Sequence, residues 1–158
     1  MVRKKKSGIT VAIGDVFAIP LGENQFGYGQ VVGGGHPKIY VIYHLLAESH
    51  PDINDIVSNK IIYFTHTVDV PIEDGDWVLI GNTDVPKGIV FPEYIVDTSS
   101  GYHVTDYQGN ILRIATESEK ENLNTHSSFS PSVLEKATKA HFGLGEWYPY
   151  FDKIKYKY

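Results

Sequence analysis

The pattern of apolar and polar residues begins with two β-rich runs joined by a short link. Residues 16–21 form an apolar run interrupted only by Pro20, and residues 26–32 alternate aromatic, glycine and aliphatic positions. The link, residues 22–25, contains a glycine and an asparagine, which is typical of a hairpin turn. The sequence therefore predicts that the sheet is built on a β-hairpin within residues 13–32.

Three residues of this hairpin lead to more specific expectations. Pro20 has no amide proton to give to a ladder, so it is expected at an unpaired or bulged position of an outer strand. Gly27 and Gly29 lie two residues apart and hence on one face of the second strand. There they leave room for a neighbouring side chain or backbone.

Further β-rich runs follow, and helical patterns are concentrated in the C-terminal third. Residues 38–46, KIYVIYHLL, are apolar on both faces, which predicts a strand in the middle of a sheet. Residues 47–59 predict a loop with one helical turn at 53–57. The other predicted strands are residues 61–68, 76–80, 94–97, 102–107 and 111–115.

Two helices are predicted after these strands. Residues 116–119, TESE, fit a capping box that begins a short helix ending near residue 123. Residues 131–142 form the second helix, with an apolar stripe of Val133, Leu134, Ala137 and His141. The order of about seven strands and then one or two helices predicts an α+β fold, with a mostly antiparallel, strongly twisted sheet or partial barrel and one or two C-terminal helices.

Length and composition indicate one domain that folds without a cofactor. The chain has 158 residues and no cysteine, so it has no disulfide framework and no thiolate zinc site. The expected organisation is a flexible lead-in at residues 1–12, a single domain at 13–146 and an aromatic, lysine-rich tail at 147–158, whose last residues form an edge strand or are disordered. No signal peptide or membrane span is apparent, and the cytoplasm is the expected location.

The middle of the chain is strongly acidic. Residues 48–97 contain ten acidic residues and two lysines, a local charge of −8 within a net charge of −5 for the whole chain. Such a surface repels nucleic acid and attracts a basic partner. The basic clusters at residues 3–6 and 153–157 are expected to be solubilising ends rather than phosphate-binding arms. The candidate partner-binding residues in the acidic region are Asp52, Asp55, Glu73, Asp74 and Asp76.

Aromatic residues supply the second set of candidates. The chain contains eleven tyrosines, and residues 147–151 read WYPYF. Aromatic side chains with a polar tip are enriched at protein interfaces, although in a β-rich domain many of them are core residues. Trp147, Tyr148 and Tyr150 are therefore the best candidates for a contact patch or a clasp over the sheet.

No motif indicates catalysis or metal binding. The seven histidines form no HxH, HExxH or i, i+4 pair, which excludes the common zinc templates. No GxSxG motif is present, and the glycines from Gly27 to Gly33 lie in a strand rather than at the start of a helix, which argues against a dinucleotide site. The carboxylates around Gly75 are interpreted as a solvated turn rather than a cation site.

Several short motifs follow one another in a set order along residues 13–142. They include GDVFAIPL, QFGYGQVV, KIYVIYHLL, DGDWVLIGN and SGYHVTDYQGN. In this order they resemble the immunity protein 26 family of bacterial polymorphic toxin systems. The resemblance implies a mostly β protein that protects its producer by binding a cognate toxin, with no catalytic residue and no cofactor to carry over. The lysine-rich N-terminus and the aromatic tail lie outside it.

Many delivered toxins are nucleases with basic clefts, so an acidic, rigid surface could occlude such an active site. Two alternatives belong to other classes. One is a small β-barrel adaptor or small-ligand-binding module. The other is a barrel-type ribonuclease, which the scarcity of arginine disfavours, since Arg113 is the only arginine after Arg3.

Overall fold

The structure is a computed structural model that describes residues 8–158. The chain forms two compact units, one of residues 8–87 with 128–157 and the other of residues 88–127 with Tyr158. The basic cluster at residues 3–6 and most of the predicted lead-in lie outside the described residues. The domain boundaries expected after residues 12 and 146 stay predictions, because compactness alone does not establish independent folding.

The described residues form eight strands and five short helices. In chain order these are β1 (Asp15–Pro20), β2 (Phe26–Gly33), β3 (Lys38–Ala47), α1 (Ile53–Val57), β4 (Ile61–Thr67), α2 (Val70–Glu73), β5 (Val78–Asn82), β6 (Tyr94–Thr98), β7 (Gly101–Thr105), β8 (Ile111–Ile114), α3 (Glu117–Asn122), α4 (Pro131–His141) and a 3₁₀ helix (Pro149–Ile154). Among these residues, no helix combines the length and the apolar character that crossing a membrane requires.

The larger unit is organised around a five-stranded antiparallel sheet in the order β4-β3-β2-β1-β5. The predicted hairpin is confirmed, since β1 pairs with β2 and the backbone amide of Leu21 donates to the carbonyl of Gln25 at 2.8 Å. The interior position predicted for residues 38–46 is also confirmed. In β3, every residue from Ile39 to Tyr43 is buried.

The expectation for Pro20 is wrong in one respect, because β1 is an inner strand. Leu21 donates its amide toward β2, so by alternation the nitrogen of Pro20 faces the β5 side. Pairing with β5 ends at Ala18, two residues earlier. Proline is therefore accommodated where its missing N–H has no partner strand to bond.

The room left by the two glycines of β2 is confirmed. A Cβ placed on Gly29 would lie 2.6 Å from Cζ of Phe17 and would also meet the carbonyl oxygen of Val41. A Cβ on Gly27 would lie 2.8 Å from Cγ2 of Thr138 on α4. The glycines thus let a neighbouring ring and a helix approach the backbone of the central strand.

One face of this sheet carries the main core. The rings of Phe17 and Trp77 are stacked with centroids 5.2 Å apart, and Tyr40 meets Phe17 edge-on at 5.6 Å. The helix α4 and the C-terminal segment cover this face with side chains that are almost fully buried. These are Leu134, Ala137, Phe151 and Ile154.

Helix α4 follows its sequence pattern except at its end. Pro131 stands at its first position, and Gly143, with φ of 73°, follows its C-terminus. Leu134 and Ala137 of the predicted apolar stripe are buried, whereas His141 is exposed.

The opposite face of the sheet is approached by α1. Ile53 lies close to Gly81, whose cross-strand partner Val16 points away from the face that carries the main core. A buried amide is satisfied here, because Gln30 accepts from the Tyr43 hydroxyl at 2.6 Å and donates to backbone carbonyls. This network fixes the inner strands relative to the chain that follows β5.

The smaller unit holds a three-stranded antiparallel sheet in the order β6-β7-β8. Its small core consists of Ile95, Val104 and Ala115 with Leu123 packed against them. The predicted capping box is confirmed, since the Thr116 hydroxyl accepts from the Glu119 amide while the Glu119 carboxylate accepts from the Thr116 amide.

The predicted fold class is confirmed: the protein is α+β with antiparallel sheets, and residues 8–158 form no closed barrel. Two further details differ from the sequence-based predictions. The turn expected around Gly75 is preceded by a short helix, α2, which includes Glu73. The tail expected as an edge strand or as disordered is a 3₁₀ helix followed by a single bridge between Lys155 and Tyr63 of β4.

Candidate protein-binding site

Three aromatic side chains project from the C-terminal segment around one buried ring. Trp147, Tyr148 and Tyr150 are about 40% exposed, whereas Phe151 is fully buried. We call the three exposed rings the aromatic patch. The centroids of all three lie within 5.7 Å of the Phe151 centroid, so the patch stands on a single core residue.

The 3₁₀ helix explains why one ring is buried and its neighbours are not. Pro149 stands at its start, and the 3₁₀ period of about three residues per turn places Phe151 and Ile154 on the same side. Both side chains enter the core, so residues 148 and 150 are turned outward. The C-terminal segment therefore packs on the sheet with one side and exposes the aromatic patch on the other.

The exposed rings are held by specific contacts. Tyr148 and Tyr150 are stacked with centroids 5.8 Å apart, and the Tyr148 hydroxyl donates to Glu146 Oε2 at 3.0 Å. This hydrogen bond to a carboxylate is the main cause of the raised pKa of Tyr148. On the other side, Lys155 Nζ lies 4.6 Å from the centre of the Trp147 ring. The patch is thus partly ordered before any partner binds.

The acidic candidates fall into two groups. Asp52 caps α1, where its side chain accepts from the Asn54 amide at 2.9 Å, and Asp55 is exposed on the same helix. The second group follows Ile72 of α2, whose side chain belongs to the main core on the other face of the sheet. This second group consists of Glu73, Asp74 and Asp76. The structure therefore associates the two groups with opposite faces of the sheet.

A cavity of about 380 Å³ lies beside the second acidic group. At its wall, Lys38 Nζ binds Asp69 Oδ2 at 2.5 Å, and the Tyr40 hydroxyl donates to the other oxygen of the same carboxylate. Burial and the adjacent Asp69 carboxylate raise the pKa of Tyr40 well above its usual range. The residues that line the cavity are His36, Pro37, Lys38, Val68, Asp69, Val70 and Glu73.

Sequence reasoning missed this cluster and a histidine pair, because their members are far apart in the chain. His44 Nδ1 and His141 Nε2 are 2.8 Å apart and join β3 to the end of α4. Partial desolvation of the ring, followed by the charges of the nearby His44, Lys60 and Lys155, lowers the pKa of His141. Among the described residues, no group of three or more His, Asp or Glu side chains is placed to hold a metal ion.

The five-stranded sheet lies within the part of the chain that matches a known protein family. Residues 12–96 match the model of the family described as immunity protein 26. The chain belongs to the immunity protein 26 family. The match covers β1 to β5 and ends within β6, so the aromatic patch lies beyond it. No curated protein and no solved structure matches the chain.

Membership confirms the family resemblance and supports a general role. Proteins of an immunity family have a toxin as partner in general and are generally not enzymes. The chain is β-rich, as expected for this resemblance.

Proposed function

We propose that this chain neutralises a cognate bacterial toxin by binding it through the aromatic patch and blocking its active site. The observation that carries the proposal is the arrangement of three half-exposed aromatic rings on one buried ring. Tryptophan and tyrosine are the residues most enriched among binding hot spots. Rings that already contact one another lose little conformational entropy on binding.

The acidic residues have a separate role in this proposal. The chain has a net charge of −5, so a basic toxin is attracted before contact, which raises the association rate more than the final affinity. A nuclease is the toxin class that fits best, because its cleft is basic in order to hold nucleic acid. The protein would then occupy the surface that the nucleic acid uses, with no catalytic step of its own.

The direct test requires the cognate toxin, which is to be sought among the genes that neighbour the gene of this chain. We expect Trp147→Ala and Tyr148→Ala each to weaken the complex about 30-fold or more, measured by calorimetry. Tyr102→Ala is the matched control, because Tyr102 is 43% exposed and lies in the other compact unit. Equal affinities for all three variants and the unchanged chain would show that the aromatic patch is not part of the toxin interface.

Blocking of the active site has its own readout. If the toxin is a nuclease, a non-cleavable oligonucleotide and this chain should compete for it, so that each lowers the apparent affinity of the other. Simultaneous binding of both to the toxin would contradict occlusion. Loss of protection in cells that produce the toxin together with Trp147→Ala would link binding to immunity.

The two acidic groups can be separated by charge reversal. One variant carries Asp52→Lys with Asp55→Lys, and the other carries Glu73→Lys with Asp74→Lys. Charge reversal of the group that faces the incoming toxin should lower the association rate about tenfold at low salt. Reversal of the other group should have a smaller effect. A third substitution, Asp76→Lys, can be added to the second variant to reverse the whole second group. Unchanged rates in both variants would exclude steering by these residues.

A second candidate function, binding of a small ligand, is favoured by the cavity of about 380 Å³ beside Lys38 and Asp69. Its size is within the range of small-molecule sites. Thermal stabilisation of the chain by a member of a metabolite library, lost in Lys38→Met, would support it. A ribonuclease role is disfavoured, since Arg113 is bound by two carboxylates, and an RNA degradation assay tests it directly.

A further inference from the structure

The two edges of the three-stranded sheet differ in how they are covered. At the β6 edge, the Ile95 amide donates to the Asn124 carbonyl at 2.9 Å, and the Ile95 carbonyl accepts from the His126 amide at 3.4 Å. Residues 124–126 therefore act as a short cover for β6. Within the described part of the chain, β8 pairs with β7 on one side and with no strand on the other.

The backbone of β8 is oriented so that it can accept another strand. The Ala115 amide donates to the Tyr102 carbonyl at 3.0 Å, so this residue faces β7. Because antiparallel pairs alternate, the N–H and C=O groups of Ile114 point to the open side. An added strand could bond both groups at once.

The side chains of β8 are apolar and exposed. Ile111 is 59% exposed, Leu112 49% and Ile114 75%. Natural edge strands usually carry lysines or other charges that prevent pairing. The single charged residue of β8, Arg113, is turned onto Glu93 at 2.9 Å and Glu119 at 2.5 Å, so it does not protect the edge. A bulge at Leu112, opposite Val104 and Thr105, interrupts the register between Ile111 and Arg113 and leaves the pairing of Arg113 and Ile114 with β7 regular.

The charge around β8 distinguishes between possible occupants. Residues 88–127 contain six acidic and two basic residues, a formal charge of −4. Both basic residues are held by acids of the same unit, Arg113 as described and Lys120 by Glu117 at 2.8 Å. A second copy of this chain would bring an equal negative charge to the edge. A strand that carries lysine or arginine would instead be attracted.

We propose that β8 is a docking edge for an extended strand of a basic partner protein, with apolar residues that pack on Ile111 and Ile114 and with lysine or arginine between them. The strand extends the sheet, and its backbone bonds to Ile114. This inference goes beyond toxin binding by the aromatic patch, because it concerns a different surface and does not require that the partner be a toxin.

The test uses blocked synthetic peptides of about eight residues, long enough for one strand. The first alternates valine and lysine, the second alternates valine and glutamate, and the third is the valine–lysine peptide with every backbone amide N-methylated. Binding to the full chain is followed by NMR shifts, and hydrogen exchange of the Ile114 amide reports strand pairing. We expect the first peptide to protect this amide and the other two to bind at least about tenfold more weakly.

Two variants complete the test. Ile114→Lys places a like charge on the edge and should weaken the valine–lysine peptide about tenfold or more. Val90→Lys is the matched control, because Val90 is 49% exposed in the same unit but outside the strands, and it should change affinity by about twofold at most. No protection of Ile114 by the first peptide, or equal effects of the two variants, would overturn the proposal.

Self-association is the remaining outcome. If the chain alone forms dimers in which the Ile114 amide is protected, the occupant is a second copy and the proposed basic strand is wrong. Because no toxin enters these measurements, their failure leaves toxin binding by the aromatic patch unaffected. Failure of the toxin experiments likewise does not affect the proposal for the β8 edge, which depends on the peptide-binding measurements.

Discussion

Strands β3 and β8 are rich in the same kinds of residue but have opposite environments. Residues Ile39 to Tyr43 of β3 are fully buried, whereas all four residues of β8 are exposed. β3 has a strand on each side and helices approaching the sheet on both faces, while β8 has one neighbouring strand among the residues that the structure describes. An apolar, β-branched run thus predicts a strand, and the elements that cover it decide whether it becomes core.

The outer edge of β4 shows the same contrast between protected and open strands. The Tyr156 amide donates to the Ile62 carbonyl at 2.9 Å, and the Phe129 amide donates to the His66 carbonyl at 3.0 Å. Segments from the C-terminal part of the chain therefore cover β4 at two places. Within residues 8–158, the larger unit covers this edge with its own chain, whereas the smaller unit covers its β6 edge and leaves its β8 edge open.

The largest expected effect comes from matched isoleucine truncations in the two strands. Ile42→Ala should destabilise the protein by about 2–5 kcal/mol, because it leaves a cavity in a fully buried site. Urea unfolding followed by tryptophan fluorescence measures it, since Trp77 and Trp147 both lie in the larger unit. Ile114→Ala is the control and should cost about 0.5 kcal/mol or less by hydrogen exchange of β7. Similar losses in both strands would contradict the comparison.

Close approach in the centre of the larger sheet should be nearly as sensitive. Gly29→Ala is expected to cost about 1–3 kcal/mol, because the new Cβ would overlap the Phe17 ring and a backbone carbonyl. Gly34→Ala is the matched control, since its Cβ would meet only Ile13 Cδ1 at 3.5 Å. Thermal unfolding of the two variants measures the difference. An equal midpoint for both would show that β2 can shift to accept a methyl group.

The protected edge of β4 can be opened with a single substitution. Tyr156→Pro removes the amide that donates to Ile62 and should cost about 1 kcal/mol. Hydrogen exchange of β4 amides should become faster in this variant. Lys157→Pro tests whether any proline in this segment has the same effect. The protection of β4 by the C-terminal segment would be refuted by identical exchange in both variants.

Local patterns were sufficient to predict most elements. The hairpin, the interior strand β3, the helical turn at 53–57, the capping box and the buried positions Leu134 and Ala137 of α4 depend on turn chemistry, periodicity and caps within short segments. The error at Pro20 concerns a neighbouring strand. The position of Pro20 in an inner strand depends on where β5 ends, which no local pattern encodes.

The candidate site was predictable to a similar extent. The aromatic run at residues 147–151 is visible in sequence, but which ring becomes core depends on the 3₁₀ geometry and on the sheet beneath it. The acids are equally visible, although their separation into two groups is not. Contacts such as Lys38 with Asp69 join residues 31 positions apart and have no local signature. Whether the aromatic patch and the acids bind a toxin stays a prediction.

The smallest expected effect concerns the histidine pair that joins β3 to α4. The pKa of His141 is lowered in the folded protein, so between that pKa and the ordinary value of about 6.5 the unfolded chain binds more protons. Stability should therefore fall slightly as the pH decreases below about 6.5 and should be constant above it with respect to this group. Urea unfolding at a series of pH values measures this dependence, which His141→Gln should reduce. His36→Gln, at another exposed histidine of the larger unit, is the control. An unchanged pH dependence in His141→Gln would mean that the protonation of His141 is not coupled to folding.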